Sequence, residues 1–169
     1  METLVNKVSE SGIVTLDLAD YLPAVASLAV FDLKPFLFRE MILREKDYRA
    51  ALPGHNWSQY ERKDVAVHCS VDAIIPVWAY MLAASYLQPV AVSVFFGKIE
   101  ALRNHLIAEK IEGISTEEYR DKRVVLKGCG DVSVPEQAYL RATARLLPSV
   151  KSIMYGEPCS TVPIYKKKA

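Results

Sequence analysis

From Trp57 onward the sequence alternates short β-branched apolar runs with longer helix-forming stretches, and this alternation restricts the fold more than any other feature. Residues 64–69 (DVAVHC), 90–96 (VAVSVFF), 123–128 (RVVLKG) and 150–155 (VKSIMY) read as strands. Residues 73–87, 98–111 and 135–147 read as the helices between and around them. Strands separated by helices of this length require crossover connections, and therefore a parallel sheet. Their nearly continuous apolar character fits burial on both faces. Upstream, residues 13–18 (IVTLDL) alternate as a half-buried strand does, and 28–31 and 36–43 are short apolar runs broken by Pro35, assigned as strands. Residues 44–52 have helix-forming composition and stop at Pro53-Gly54. The expectation is an α/β three-layer sandwich with a mostly parallel sheet. It forms one domain over 1–169, with an N-terminal β-containing layer at 1–56 and a βα core at 57–169.

The helix over 73–87 (AIIPVWAYMLAASYL) is apolar nearly all round, which a helix with one solvated face is not. Its outer side therefore needs a cover, either the N-terminal third of the chain or a second subunit. A short internal echo accompanies it: Tyr60, Lys63, Val65, Val67 and Cys69 run in step with Tyr119, Lys122, Val124, Leu126 and Cys129, with one extra residue before the second cysteine. Two βα openings built alike explain this without a solenoid.

Lys+Arg 21 against Asp+Glu 20 leaves a net charge of +1, so no overall field recruits nucleic acid or an anionic membrane. The one basic run, Lys166–Lys168, reads as a solvated tail. No stretch has the length and apolar continuity of a bilayer span, and the first residues lack a secretory pattern, so a cytoplasmic protein is expected. In a reducing compartment three cysteines read as thiols, ligands or core filler, not as a disulfide framework.

All three cysteines follow strands. Cys69 closes DVAVHC, Cys129 follows RVVLKG between two glycines, and Cys159 lies just past SIMY in GEPCSTVP. In an open parallel sheet, reactive groups gather at the carboxyl ends of strands, so the three thiols are expected on one edge of one sheet. Thiolates select zinc or iron–sulfur clusters. Asp72, also a natural N-cap for the following helix, is the expected fourth ligand beside Cys69, Cys129 and Cys159, unless an exogenous group takes that place. Two other readings stay open: a thiol enzyme or sulfur carrier with a nucleophilic cysteine, and an interaction module that docks through the 73–87 helix with inert cysteines. His68 is the lesser option for the fourth ligand, since neighbouring strand residues point to opposite faces. His55 and His105 have no evident catalytic partner, GCGD falls short of a dinucleotide fingerprint, and Ser160-Thr161 reads as a turn that could also offer hydroxyls to an anion.

The stretches CSVDAIIPVWAYMLAASYLQP, YRDKRVVLKGC and KSIMYGEPCSTVPIYKK, with REKDYRAAL and NWSQY, resemble an uncharacterised bacterial family known as domain of unknown function 2480. The likeness extends over essentially the whole chain and includes the three cysteines. It implies an auxiliary role beside iron–sulfur cluster assembly, with assembly proteins as partners. A homodimer is the expected alternative partner for the apolar helix.

Overall fold

A computed structural model describes residues 12–128, 133–157 and 159–168. Its main elements run β1 (Ile13–Asp17), β2 (Leu28–Asp32), α1 (Glu45–Ala51), β3 (Asp64–His68), α2 (Val77–Leu87), β4 (Ser93–Phe96), α3 (Ile99–Glu112), β5 (Arg123–Lys127), α4 (Glu136–Leu146), β6 (Ser152–Glu157) and β7 (Ser160–Lys166). The fold is α/β on mostly parallel strands, as the alternation requires. The strands do not share one sheet, however: they form two, ordered β2-β3-β4 and β1-β5-β6-β7. Accordingly, the chain divides into a central unit, Pro23–Arg103, and a split unit, Met1–Leu22 with Asn104–Ala169.

In the central unit all strand pairs are parallel. Phe31, Val65 and Val67 meet Ala79, Ala83 and Leu87 of α2 and Tyr48 and Leu52 from α1 and its C-terminus, all buried in one apolar cluster. Alanines at i and i+4 bring α2 close to the sheet, and the spacing 79, 83, 87 is the helical period. The Tyr48 hydroxyl donates to the Ala79 carbonyl at 3.2 Å, and burial pushes its phenol well above the ordinary range. Trp78 packs beside Tyr48 and under Arg49. The N-terminal third thus covers one flank of α2, while Val77 (74% exposed) and Met81 (68%) stay bare. The helix begins at Val77 with Pro76 at the N-cap, not at residue 73. Asp72 caps nothing here: it is exposed in a bend upstream, and the residues between it and Pro76 include Ile74, which bridges Ile42. The predicted strand over 36–43 is a tight turn with Phe38 bridging Ile42, and Arg39 and Glu40 at its tip have positive φ.

In the split unit β1, β5 and β6 are parallel and β7 returns antiparallel to β6. Sequence reading missed β7, because Gly156, Pro158 and Pro163 read as loop; Ser160 and Thr161 open this strand instead of forming an anion-binding turn. Pro163 is tolerated because β7 is an edge strand. Leu16, Val124, Leu126 and Ile153 of the sheet pack on Ala138, Ala142 and Leu146 of α4, with Ile107 and Ile111 in the same core.

The two cores are built alike, and the echo seen in the sequence is the start of a longer repeat. A constant spacing of 59 residues (119 less 60) relates Tyr60 to Tyr119, Pro76 to Pro135, Ala79 to Ala138, Tyr80 to Tyr139, Leu87 to Leu146 and Gly97 to Gly156. Local structure follows it. A 3-10 turn precedes each central strand, Arg62 and Asp121 both have positive φ, and both helices start at a proline N-cap. The hydrogen bonds Val92 N–H to Lys63 O and Lys151 N–H to Lys122 O, each 2.8 Å, are counterparts too. The sheet registers match, with Asp64 opposite Ser93 and Arg123 opposite Ser152. Under this spacing the counterpart of Cys69 is Gly128, not Cys129.

Candidate functional site

Among the described residues the strand-end thiols form no metal-holding group. Cys69 follows β3 in the central unit and is half-buried, whereas Cys159 is exposed in the turn between β6 and β7 of the split unit. Cys129 lies outside the described residues. Asp72 is exposed, and no group of three His, Cys, Asp or Glu side chains among the described residues is arranged to hold a metal ion. This overturns the zinc or iron–sulfur reading. The error was topological: β3 pairs with β2 and β4, so its end and the ends of β5 and β6 are edges of different sheets. No thiophilic donor set among the described residues ties the chain to cluster handling.

The strand ends carry other chemistry. In the central unit the Asp32 carboxylate accepts hydrogen bonds from the backbone N–H of Lys34 (2.9 Å) and of Ser70 (3.0 Å). Burial alone would raise its pKa. The Ser70 side chain, those two amides and nearby His68 outweigh burial and hold the carboxyl below its ordinary value. Asp32 thereby ties the loop after β2 to the loop after β3. At the corresponding edge of the split unit Lys127 reaches Asp17 at 3.4 Å and Glu157 at 3.7 Å, joining the ends of β1, β5 and β6. These contacts fix the strand ends from which each unit presents its helix and outer strand.

A groove of about 880 Å³ opens beside that edge in the split unit. Its floor is Leu126, Val134 and Met154, its helix wall is Leu140, Thr143 and Ala144 on α4, and Ile164 of β7 stands opposite. On α4 the groove residues Leu140, Thr143 and Ala144 occupy a different face from the buried stripe Ala138, Ala142 and Leu146, so one helix serves both core and groove. Tyr139 and Tyr155 meet edge to face, with ring centroids 5.6 Å apart. The Glu136 carboxylate and the Ser133 hydroxyl stand at the rim. Gly128 allows this arrangement. A Cβ there would overlap the Tyr139 hydroxyl and come within 2.8 Å of Val134 Cγ2.

The counterpart place in the central unit has the same framework and different surfaces. Tyr80 meets Phe96 edge to face at 5.1 Å, as Tyr139 meets Tyr155. Cys69 stands where Gly128 does, and burial first, then the Cys69 thiol, pushes the Tyr80 phenol up. Ser133, Glu136 and Leu140 are replaced by Ile74, Val77 and Met81, all exposed. Motif reading could not find the groove, since it uses no reactive residue type. Its signal was the glycine and the small side chains along one side of 135–147, and these acquire meaning only once β7 is placed.

The fold and groove define an α/β protein with an internally repeated strand–helix–strand core and an amphipathic ligand-sized cleft. The family model for "Protein of unknown function (DUF2480)" matches residues 2–167, and the chain belongs to that family. No curated protein matches the chain, and no solved structure does. Among the described residues no helix is long and apolar enough to cross a membrane.

Proposed function

We propose that the protein binds a small, mostly apolar, ring-bearing molecule in the groove of the split unit. The supporting observation is the groove itself, an apolar cleft edged by an aromatic pair at the carboxyl side of β5 and β6 with a polar rim. Its volume of about 880 Å³ falls within the ~300–1,000 Å³ of ordinary ligand sites. Carboxyl ends of parallel strands are where α/β folds place ligands. Floor and aromatic edges suit a planar ring system, and the Glu136 carboxylate, in the first turn of α4, suits a cationic or hydrogen-donating end. The lining offers one carboxylate and two phenols, a set that orients a ligand. We place this activity in the cytoplasm, in accord with the free thiols at Cys69 and Cys159.

N-phenyl-1-naphthylamine, an uncharged aromatic amine that fluoresces in apolar surroundings, tests the reading. The wild type is expected to bind it saturably. Ala144→Trp, an exposed position on the groove wall, is expected to weaken binding at least tenfold while the circular dichroism stays unchanged. Equal binding by that variant would remove the groove as the site.

A further inference from the structure

We propose that the outer edge of β4 is a pairing edge for a second copy of this chain, joined antiparallel at β4. The repeat supplies the first argument. β4 is the counterpart of β6, and the outer side of β6 is occupied by antiparallel β7. Among the described residues the central sheet ends at β4 with no equivalent of β7. The consequence is measurable in single residues: Ile153, beside β7, is fully buried, whereas its counterpart Val94 is 36% exposed.

The second argument is the chemistry of the edge. Edge strands that remain free are protected by charge, proline or a bulge. β7 has Pro163, Lys166 and a register shift on its β6 partner between Ile153 and Met154. β4 reads SVFF, with none of these, and exposes Val92, Val94 and Phe96 on one side. In the split unit Ile164 of the added strand faces the α4 wall of the groove. By equivalence, a strand added to β4 lays its side chains against Ile74, Val77 and Met81. Those six residues present on the order of 700 Å² per chain, near the ~800 Å² per partner of a stable interface. None is charged, so a two-fold contact meets no like-charge repulsion, and the face holds no cation that a nucleic acid or an anionic membrane would require.

An antiparallel two-fold centred on Val94 places it opposite the partner's Val94 and sets Phe96 opposite the partner's Val92, an aromatic with β-branched pair. The inference does not depend on the groove's being a ligand site. Sedimentation equilibrium of the full chain is expected to give twice the chain mass of 18.9 kDa. Val94→Lys, which sets two lysines against each other across the axis, is expected to raise the dimer dissociation constant on the order of 100-fold. Where that variant fails to fold, crosslinking decides instead. In a background of Cys69→Ser, Cys129→Ser and Cys159→Ser, Val94→Cys is expected to form an intermolecular disulfide under mild oxidation at least tenfold faster than Val92→Cys. A monomeric wild type overturns the proposal. So does equal crosslinking at the two positions, which would mean a dimer in another register or through another face.

Discussion

At position 128 the repeat has glycine where position 69 has cysteine, and the difference is spatial before it is chemical. The Tyr139 hydroxyl rests in the room left by the missing Cβ. Gly128→Ala is therefore expected to lower stability by ~1–3 kcal/mol through overpacking, read by urea denaturation, and to weaken dye binding by displacing Tyr139. A variant as stable as the wild type would show that the contact yields freely. His55 is a second informative residue. It sits in a ring cluster with Phe31, Phe36, Trp57 and Tyr60, and burial depresses its pKa. The unfolded chain thus binds a proton there more readily than the folded one. Stability is full above the unfolded value of about 6.5 and declines as pH falls through that value toward the depressed folded one. Thermal unfolding between neutral and mildly acidic pH is expected to show this decline, and His55→Gln to flatten it. Sequence alone could not assign His55 this role, since two of its four ring neighbours, Phe31 and Phe36, come from a separated segment.

At the scale of elements, α2 and α4 occupy the same place in their units and differ in what they leave outside. α2 buries Ala79, Ala83 and Leu87, lodges Trp78 against Tyr48, and exposes Val77 and Met81; α4 repeats the buried stripe and turns toward the groove. Trp78→Asp is expected to unfold the central unit, because it puts a charge into the contact with Tyr48. Ile74→Asp, at a residue 91% exposed, is expected to leave the fold intact. A folded Trp78→Asp protein with unchanged near-ultraviolet circular dichroism would show that α1 does not hold α2. Most helices and strands were legible from periodicity, because each has an apolar run of the right length between turn residues. β7 was not legible, because Pro163 and the exposed Val162 and Ile164 belong to an edge, where alternation and strand propensity lose their force. Nor was the partner of β1 legible: Ile13 pairs with Arg123 across an intervening unit, and no local pattern encodes so distant a contact.

For the whole molecule, the account is that one strand–helix–strand framework occurs twice and its outer edge has diverged. In the split unit β7 closes the edge and leaves a cleft with a polar rim; in the central unit the edge is apolar and, among the described residues, open. The metal expectation failed at this scale, since Cys69 and Cys159 do follow strands but those strands belong to two different sheets. The chain has four methionines, of which Met154 lies on the groove floor and Met81 on the apolar face beside β4. Methyl resonances of isotopically labelled methionine therefore report on both edges at once. Addition of N-phenyl-1-naphthylamine is predicted to move Met154 and leave Met81 in place, and dilution through the dimer dissociation constant to move Met81 and leave Met154. A dye that shifts Met81 while Met154 stays fixed would contradict the assignment of the ligand site to the split unit and with it the division of roles between the two repeats.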